Sequence, residues 1–152
     1  MGERIVLSFA VEPLGNERTE VLTLTPVLSG TPLTELVSRF EREHGFDPTG
    51  AYGGLTRSWF EYGPLDRYFM AESAGSHWED LGGFYLLGCQ CGEVGCWPLV
   101  GRIMKIGNTV VWDTFRQPHR PDRDYSGFGP FTFDAEQYKT VVNEIAMQFK
   151  GI

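Results

Sequence analysis

From Arg4 onward the chain alternates. Ile5, Leu7, Phe9 and Val11 fall on one face of an extended strand over 4–11. Residues 12–19 bring Pro13, Gly15 and Asn16, a turn signal, and 20–25 (Glu-Val-Leu-Thr-Leu-Thr) read as a second strand, so the first two elements form a hairpin. The period then changes from two to 3.6. Leu33, Leu36, Val37 and Phe40 predict a helix over 32–44, with Thr31 as N-cap, Pro32 in the first turn and Gly45 as the stop. Glu41, Arg42 and Glu43 are assigned to its wet side.

Between residues 45 and 83 no long period survives, because Gly50, Gly53, Gly54, Gly63, Pro64 and Gly75 interrupt it. Leu65, Tyr68 and Phe69 predict one helical turn, and Tyr52, Trp59, Phe60, Tyr62 and Trp78 predict a stretch pinned by burial. Alternation returns in three strands, Phe84 to Cys89, Leu99 to Ile106 and Thr109 to Phe115. Gly107-Asn108 is a Gly-first hairpin turn of the type II′ kind. It sets Ile106 against Thr109, Met104 against Val111, Arg102 against Asp113 and Val100 against Phe115.

Residues 116–131 read as a loop, with Pro118, Pro121 and Pro130. Asp134 and Gln137 then make a capping box, Phe133 and Tyr138 a hydrophobic staple, and Tyr138, Val141, Val142, Ile145, Ala146 and Phe149 the buried stripe of a helix over 134–149. The order ββα-βββα predicts an α+β fold, with about five mainly antiparallel strands and two helices on one face, forming one domain over 1–152.

Composition narrows the function classes. Eleven Phe, six Tyr and four Trp in 152 residues exclude a disordered chain. No apolar run is long enough for a membrane-spanning helix, and Met-Gly-Glu-Arg followed by a strand does not read as a secretory leader. The expected location is the cytoplasm. The net charge of −7 is unevenly spread. Residues 1–98 hold six basic and fourteen acidic side chains, whereas 99–125 hold five basic and three acidic. An acidic chain lacks the face needed for general nucleic-acid binding. A local anion site near Arg116 to Arg123 remains compatible with it.

Two segments carry candidate chemistry. The chain's three cysteines, Cys89, Cys91 and Cys96, lie within eight residues between two strands. Three thiolates and a histidine (His44, His77 or His119) could hold zinc, but the x1 spacing and the missing second cysteine pair favour a glycine-shaped structural turn without a cofactor.

The run Leu87 to Leu99 (Leu-Gly-Cys-Gln-Cys-Gly-Glu-Val-Gly-Cys-Trp-Pro-Leu) resembles the signature of a family of short uncharacterised bacterial proteins. Val111-Trp112, Phe115, Gln117-Pro118-His119-Arg120, Phe131-Thr132-Phe133-Asp134 and Tyr138 are similar to that family's second half. The helix Leu33 to Glu41 with Gly50-Ala51-Tyr52 is similar to its first. The resemblance implies a single-domain bacterial protein and no activity.

The second segment is 112–125, where Arg116, His119, Arg120 and Arg123 stand among Trp112, Phe115 and Tyr125. Guanidinium groups beside flat apolar rings are the residue types that binding sites use, and Pro118 and Pro121 stiffen the loop. Trp112, Phe115, Arg116, His119, Arg120 and Tyr125 are therefore the candidate binding residues. Arg116, His119 and Arg120 are expected to line one concavity with Trp112 or Tyr125 as a wall. The reading favoured is a small cytoplasmic binding domain, of an inhibitory or immunity type, without enzymatic activity. Its partner would be another protein or a small anionic ligand. The alternative is a thiol- or metal-dependent enzyme using Cys89, Cys91 and Cys96 with His119.

Overall fold

Strand β1 (Leu7–Leu14) folds back antiparallel onto β2 (Arg18–Leu28), with Leu7 opposite Leu28 and Val11 opposite Leu24. Residues 4–14, 18–56, 65–71, 83–91 and 97–150 are described in this computed structural model. Gly15, Asn16, Trp59, Phe60, Tyr62, Trp78 and Cys96, as well as the side chain of Phe149, lie outside them.

Ser29 and Gly30, both at positive φ (48° and 88°), turn the chain from β2 into the two-residue strand β3 (Thr31–Pro32). Thr31 is thus used in pairing with Leu28, and it does not cap the helix that follows. Helix α1 (Leu33–Glu43) begins one residue later than the sequence suggests, with extended Pro32 at its cap and no side-chain cap bond. Its end matches the expectation. Gly45 at φ 68°, with Gly45 N–H on the Arg42 carbonyl and Phe46 N–H on that of Glu41, makes a Schellman stop.

Strands β4 (Tyr52–Gly53) and β5 (Leu55–Thr56) are short and diverge, β5 joining β2 in the first sheet and β4 opening the second. Helix α2 (Leu65–Phe69) is the predicted turn. The second sheet runs β4-β6-β7-β8-β9, with β6 Phe84–Cys89, β7 Leu99–Ile106, β8 Thr109–Arg116 and β9 Phe131–Asp134. Helix α3 (Ala135–Lys150) closes the chain. The fold is α+β, with nine strands in two antiparallel sheets and three helices among the described residues, against the five strands and two helices expected. No helix of the described residues is long and apolar enough to cross a membrane.

The β7–β8 hairpin has the predicted register where the turn governs it. Ile106 faces Thr109, and Arg102 faces Asp113, whose carboxylate takes two bonds from the guanidinium at 2.8 and 2.9 Å. Those hydrogen bonds from Arg102 hold the Asp113 carboxyl below its usual range. Beyond this pair the register slips. Thr114 sits at φ 54°, and Val100 faces Arg116 rather than Phe115. The extra residue is a β-bulge, and it turns Phe115 onto the core side with Val110 and Trp112. Gly101 answers it across the ladder, since a Cβ there would stand 2.9 Å from both Leu86 Cδ1 and Phe115 Cδ1.

Strand β9 is the second departure. Phe131 and Phe133, read as loop and staple, pair with Trp112 and Val110. Asp134 does cap α3, accepting the Gln137 N–H at 3.1 Å, and Phe133 meets Tyr138 at 5.2 Å between centroids. Gln137, however, does not return a bond to the cap. Its amide spans the backbone of Leu7, accepting from its N–H at 3.1 Å and donating to its carbonyl at 2.9 Å. With the parallel bridge of Ile5 to Phe133, this fastens the first sheet to the second. Leu24, Leu33, Val37, Leu86, Trp112 and Val142, from both sheets and two helices, enter one core.

Candidate binding face

Leu33, Val37 and Glu41 are four residues apart on α1 and share its inner face. Glu41 is therefore not on the wet side. Its carboxylate is wholly buried and accepts from four donors. Oε1 accepts the Gly50 N–H at 2.8 Å, while Oε2 accepts the Tyr52 hydroxyl at 2.7 Å, the Tyr125 hydroxyl at 2.5 Å and Arg123 Nη1 at 3.3 Å. Gly50 is required at its position. It holds φ at 75°, and a Cβ would come within 2.9 Å of Ser38 Oγ. Burial, then the hydrogen bond and negative charge of Glu41, push the Tyr52 hydroxyl far above its ordinary range. Burial and the bond to Glu41 push that of Tyr125 to about 12.

Arg123 is nearly as enclosed as its partner, with 5% of its side chain exposed. Its guanidinium also donates to the Pro48 carbonyl at 2.7 Å, and it lies over the rings of Phe46 (5.1 Å) and Trp97 (5.6 Å). A charge this buried is tolerable only with such compensation.

The bulge at Thr114 supplies the next contact. Shifting the alternation by one residue sends Arg116 outward and Gln117 inward. Gln117, fully buried, donates to the Tyr52 hydroxyl at 3.2 Å and accepts the His119 N–H at 3.1 Å. The chain then turns tightly, with Arg120 N–H on the Gln117 carbonyl and Arg123 N–H on that of Arg120. The loop from 117 to 125 is thus tied to α1, β4 and the stretch around Gly50.

On its outer side stand Trp97, His119 and Arg120. Trp97 donates its indole N–H to the Gly50 carbonyl at 2.8 Å. The His119 ring lies parallel to that indole, 6.4 Å between centroids and 6° apart in plane. Arg120 rests its guanidinium carbon 5.0 Å from the Trp97 centroid and donates to the His119 carbonyl at 2.8 Å. His119, Arg120 and Arg116 are exposed, and neither arginine has a carboxylate partner among the described residues.

The six candidate residues therefore divide. Arg116, His119 and Arg120 reach the surface. Trp112 is fully buried, its indole N–H on the Tyr138 hydroxyl at 3.0 Å, and it walls nothing outside. Phe115 packs on Phe128 and Phe131, and Tyr125 is turned in to Glu41. Both belong to the interior. The ring beside the cations is Trp97, which in the sequence reads only as part of the cysteine run. Glu41, Gln117 and Arg123 were also outside the candidate set. The spacing from Leu33 and Val37 puts position 41 on the inner face, but the partners that balance its charge come from distant segments, and Gln117 depends on the bulge.

Cys89 ends β6, buried opposite Tyr52, and Cys91 is exposed in the following turn, its N–H 3.5 Å from Cys89 Sγ. Cys96 lies outside the described residues. Among the described residues no three His, Cys, Asp or Glu side chains are grouped so as to hold a metal ion. No family model matches the chain, and neither the curated proteins nor the solved structures include a match to it.

Proposed function

We propose that this chain is a binding domain without catalytic chemistry of its own, engaging a partner protein in an inhibitory or immunity-type role through the face of Arg116, His119, Arg120 and Trp97. The observation that carries the reading is the anchoring of that face from beneath. Glu41, Tyr52, Gln117, Tyr125 and Arg123 form one buried network. A face fixed in this way loses little freedom on binding. Trp and Arg are also the side chains from which interfaces draw most of their energy. Glu41 supports the non-catalytic part, because its carboxylate is wholly buried and already accepts from four internal donors, so it does not face a substrate on the surface.

The test is affinity capture from the source cell with wild type and an Arg116→Ala/Arg120→Ala double variant, whose folding is checked by thermal denaturation. A protein retained by wild type and lost to the folded variant is the expected outcome. Equal retention by both, or none by either, overturns the reading.

One observation favours the thiol or metal alternative. His119 is stacked on Trp97, the residue bonded to Cys96. Elemental analysis of untagged protein separates the two readings. Stoichiometric zinc, lost in His119→Ala, transfers His119 from the binding face to a metal site.

A further inference from the structure

We infer that the group the Trp97 face is built to take is a carboxylate, an inference that rests on the binding-domain reading above. Arg120 is ordered before any ligand arrives, its position set by the bond to the His119 carbonyl and by the indole 5.0 Å away. A guanidinium placed against an aromatic ring keeps in-plane N–H groups for the fork-to-fork contact that a planar carboxylate makes. One of Arg120's five N–H donors is used by the His119 carbonyl. Arg116, four residues earlier in the chain at the end of β8, is a further exposed cation without a carboxylate partner among the described residues.

The wider charge selects within the anions. The chain carries −7, with its basic excess confined to 99–125. At physiological salt the local cations dominate only within about 8 Å. A ligand of dense negative charge, such as a phosphate chain or nucleic acid, meets the acidic remainder beyond that distance. A single carboxylate does not. It could be borne by a small organic acid or by the C-terminus of a partner.

The experiment follows the indole N–H of Trp97, assigned with Trp97→Phe, in nitrogen-15 NMR spectra of the full chain. The probes are succinate, acetyl-trialanine with a free C-terminus, the same peptide as its amide, inorganic phosphate and sodium chloride, all at matched ionic strength. A saturating shift with a carboxylate probe at a Kd under about 10 mM, weakened about tenfold or more in Arg120→Gln, supports the inference, and the tighter of the two names the source. A shift linear in concentration and equal to that of chloride overturns it. So does tighter binding of phosphate or of the peptide amide, or an unchanged response in Arg120→Gln. If the carboxylates fail while partner capture still depends on Arg116 and Arg120, the ligand class falls and the binding-domain reading stands. If both fail, both fall.

Discussion

Tyr125 donates its hydroxyl to Glu41 at 2.5 Å across 84 residues of sequence, and that bond ties the loop after β8 to helix α1. The carboxylate it meets balances the buried charge of Arg123. Glu41→Ala strands that charge and unpairs the donors of Gly50, Tyr52 and Tyr125, and it is expected to cost about 3–5 kcal/mol. Tyr125→Phe leaves the ion pair in place and should cost about 1–2 kcal/mol. Urea unfolding of both variants checks the order, and a Tyr125→Phe loss equal to that of Glu41→Ala contradicts it.

Alkaline titration reads the same network. Tyr125 ionises at about 12 in the folded chain against 10.0 unfolded, and Tyr52 and Tyr138 are also pushed upward, chiefly by burial. A raised tyrosine pKa means that the folded state binds more protons than the unfolded one. Its stabilising contribution is complete below about pH 10 and is lost as pH rises towards 12. Tyrosinate absorbance should account for at most three of the six tyrosines before circular dichroism reports unfolding. Ionisation of all six near pH 10 in the folded protein is the opposing result.

Thr114 holds a β-branched side chain at φ 54°. Thr114→Gly removes a strain of about 1–2 kcal/mol and gives back part of it as added freedom in the unfolded chain, for a net gain of about 0.5–1 kcal/mol. A higher midpoint in chemical denaturation is expected. A lower one shows that the bulge is held by the threonine itself.

Gln137 distinguishes a capping box from a strand clamp. In a capping box glutamate serves as well as glutamine. Here Gln137→Glu sets a carboxylate oxygen against the Leu7 carbonyl in place of the Nε2 donor. The expected loss is about 1–3 kcal/mol, and urea unfolding at pH 7 measures it. Unchanged stability returns Gln137 to the role of a box.

The sequence was legible where one period governed one element. The Gly107-Asn108 turn and the Arg102–Asp113 pair followed from local rules, as did the stop at Gly45 and the Asp134 cap. It was illegible where a residue answered to a distant partner. Glu41 is an acid on an inner helical face because Tyr52 from β4 and Arg123 and Tyr125 from the 117–125 loop converge there. Phe115 and Gln117 point inward because Thr114 adds one residue to a ladder whose alternation looks unbroken. Of the candidate site, Arg116, His119 and Arg120 were read from composition. The ring beside His119 and Arg120 was not, because Trp97 reaches the loop through the pairing of β7 with β8 and its bond to Gly50.

The clamp of Gln137 on Leu7 has a consequence for how the chain is made. The two residues are 130 apart. At synthesis rates of about 5–20 residues per second, β1 waits roughly 6–26 s for the side chain that closes on its backbone. Through that interval Leu7 offers an N–H and a carbonyl to any passing strand. The nascent chain's window for mispairing is therefore set by the arrival of helix α3, and a ribosome stalled before Gln137 would hold an aggregation-prone edge in the open.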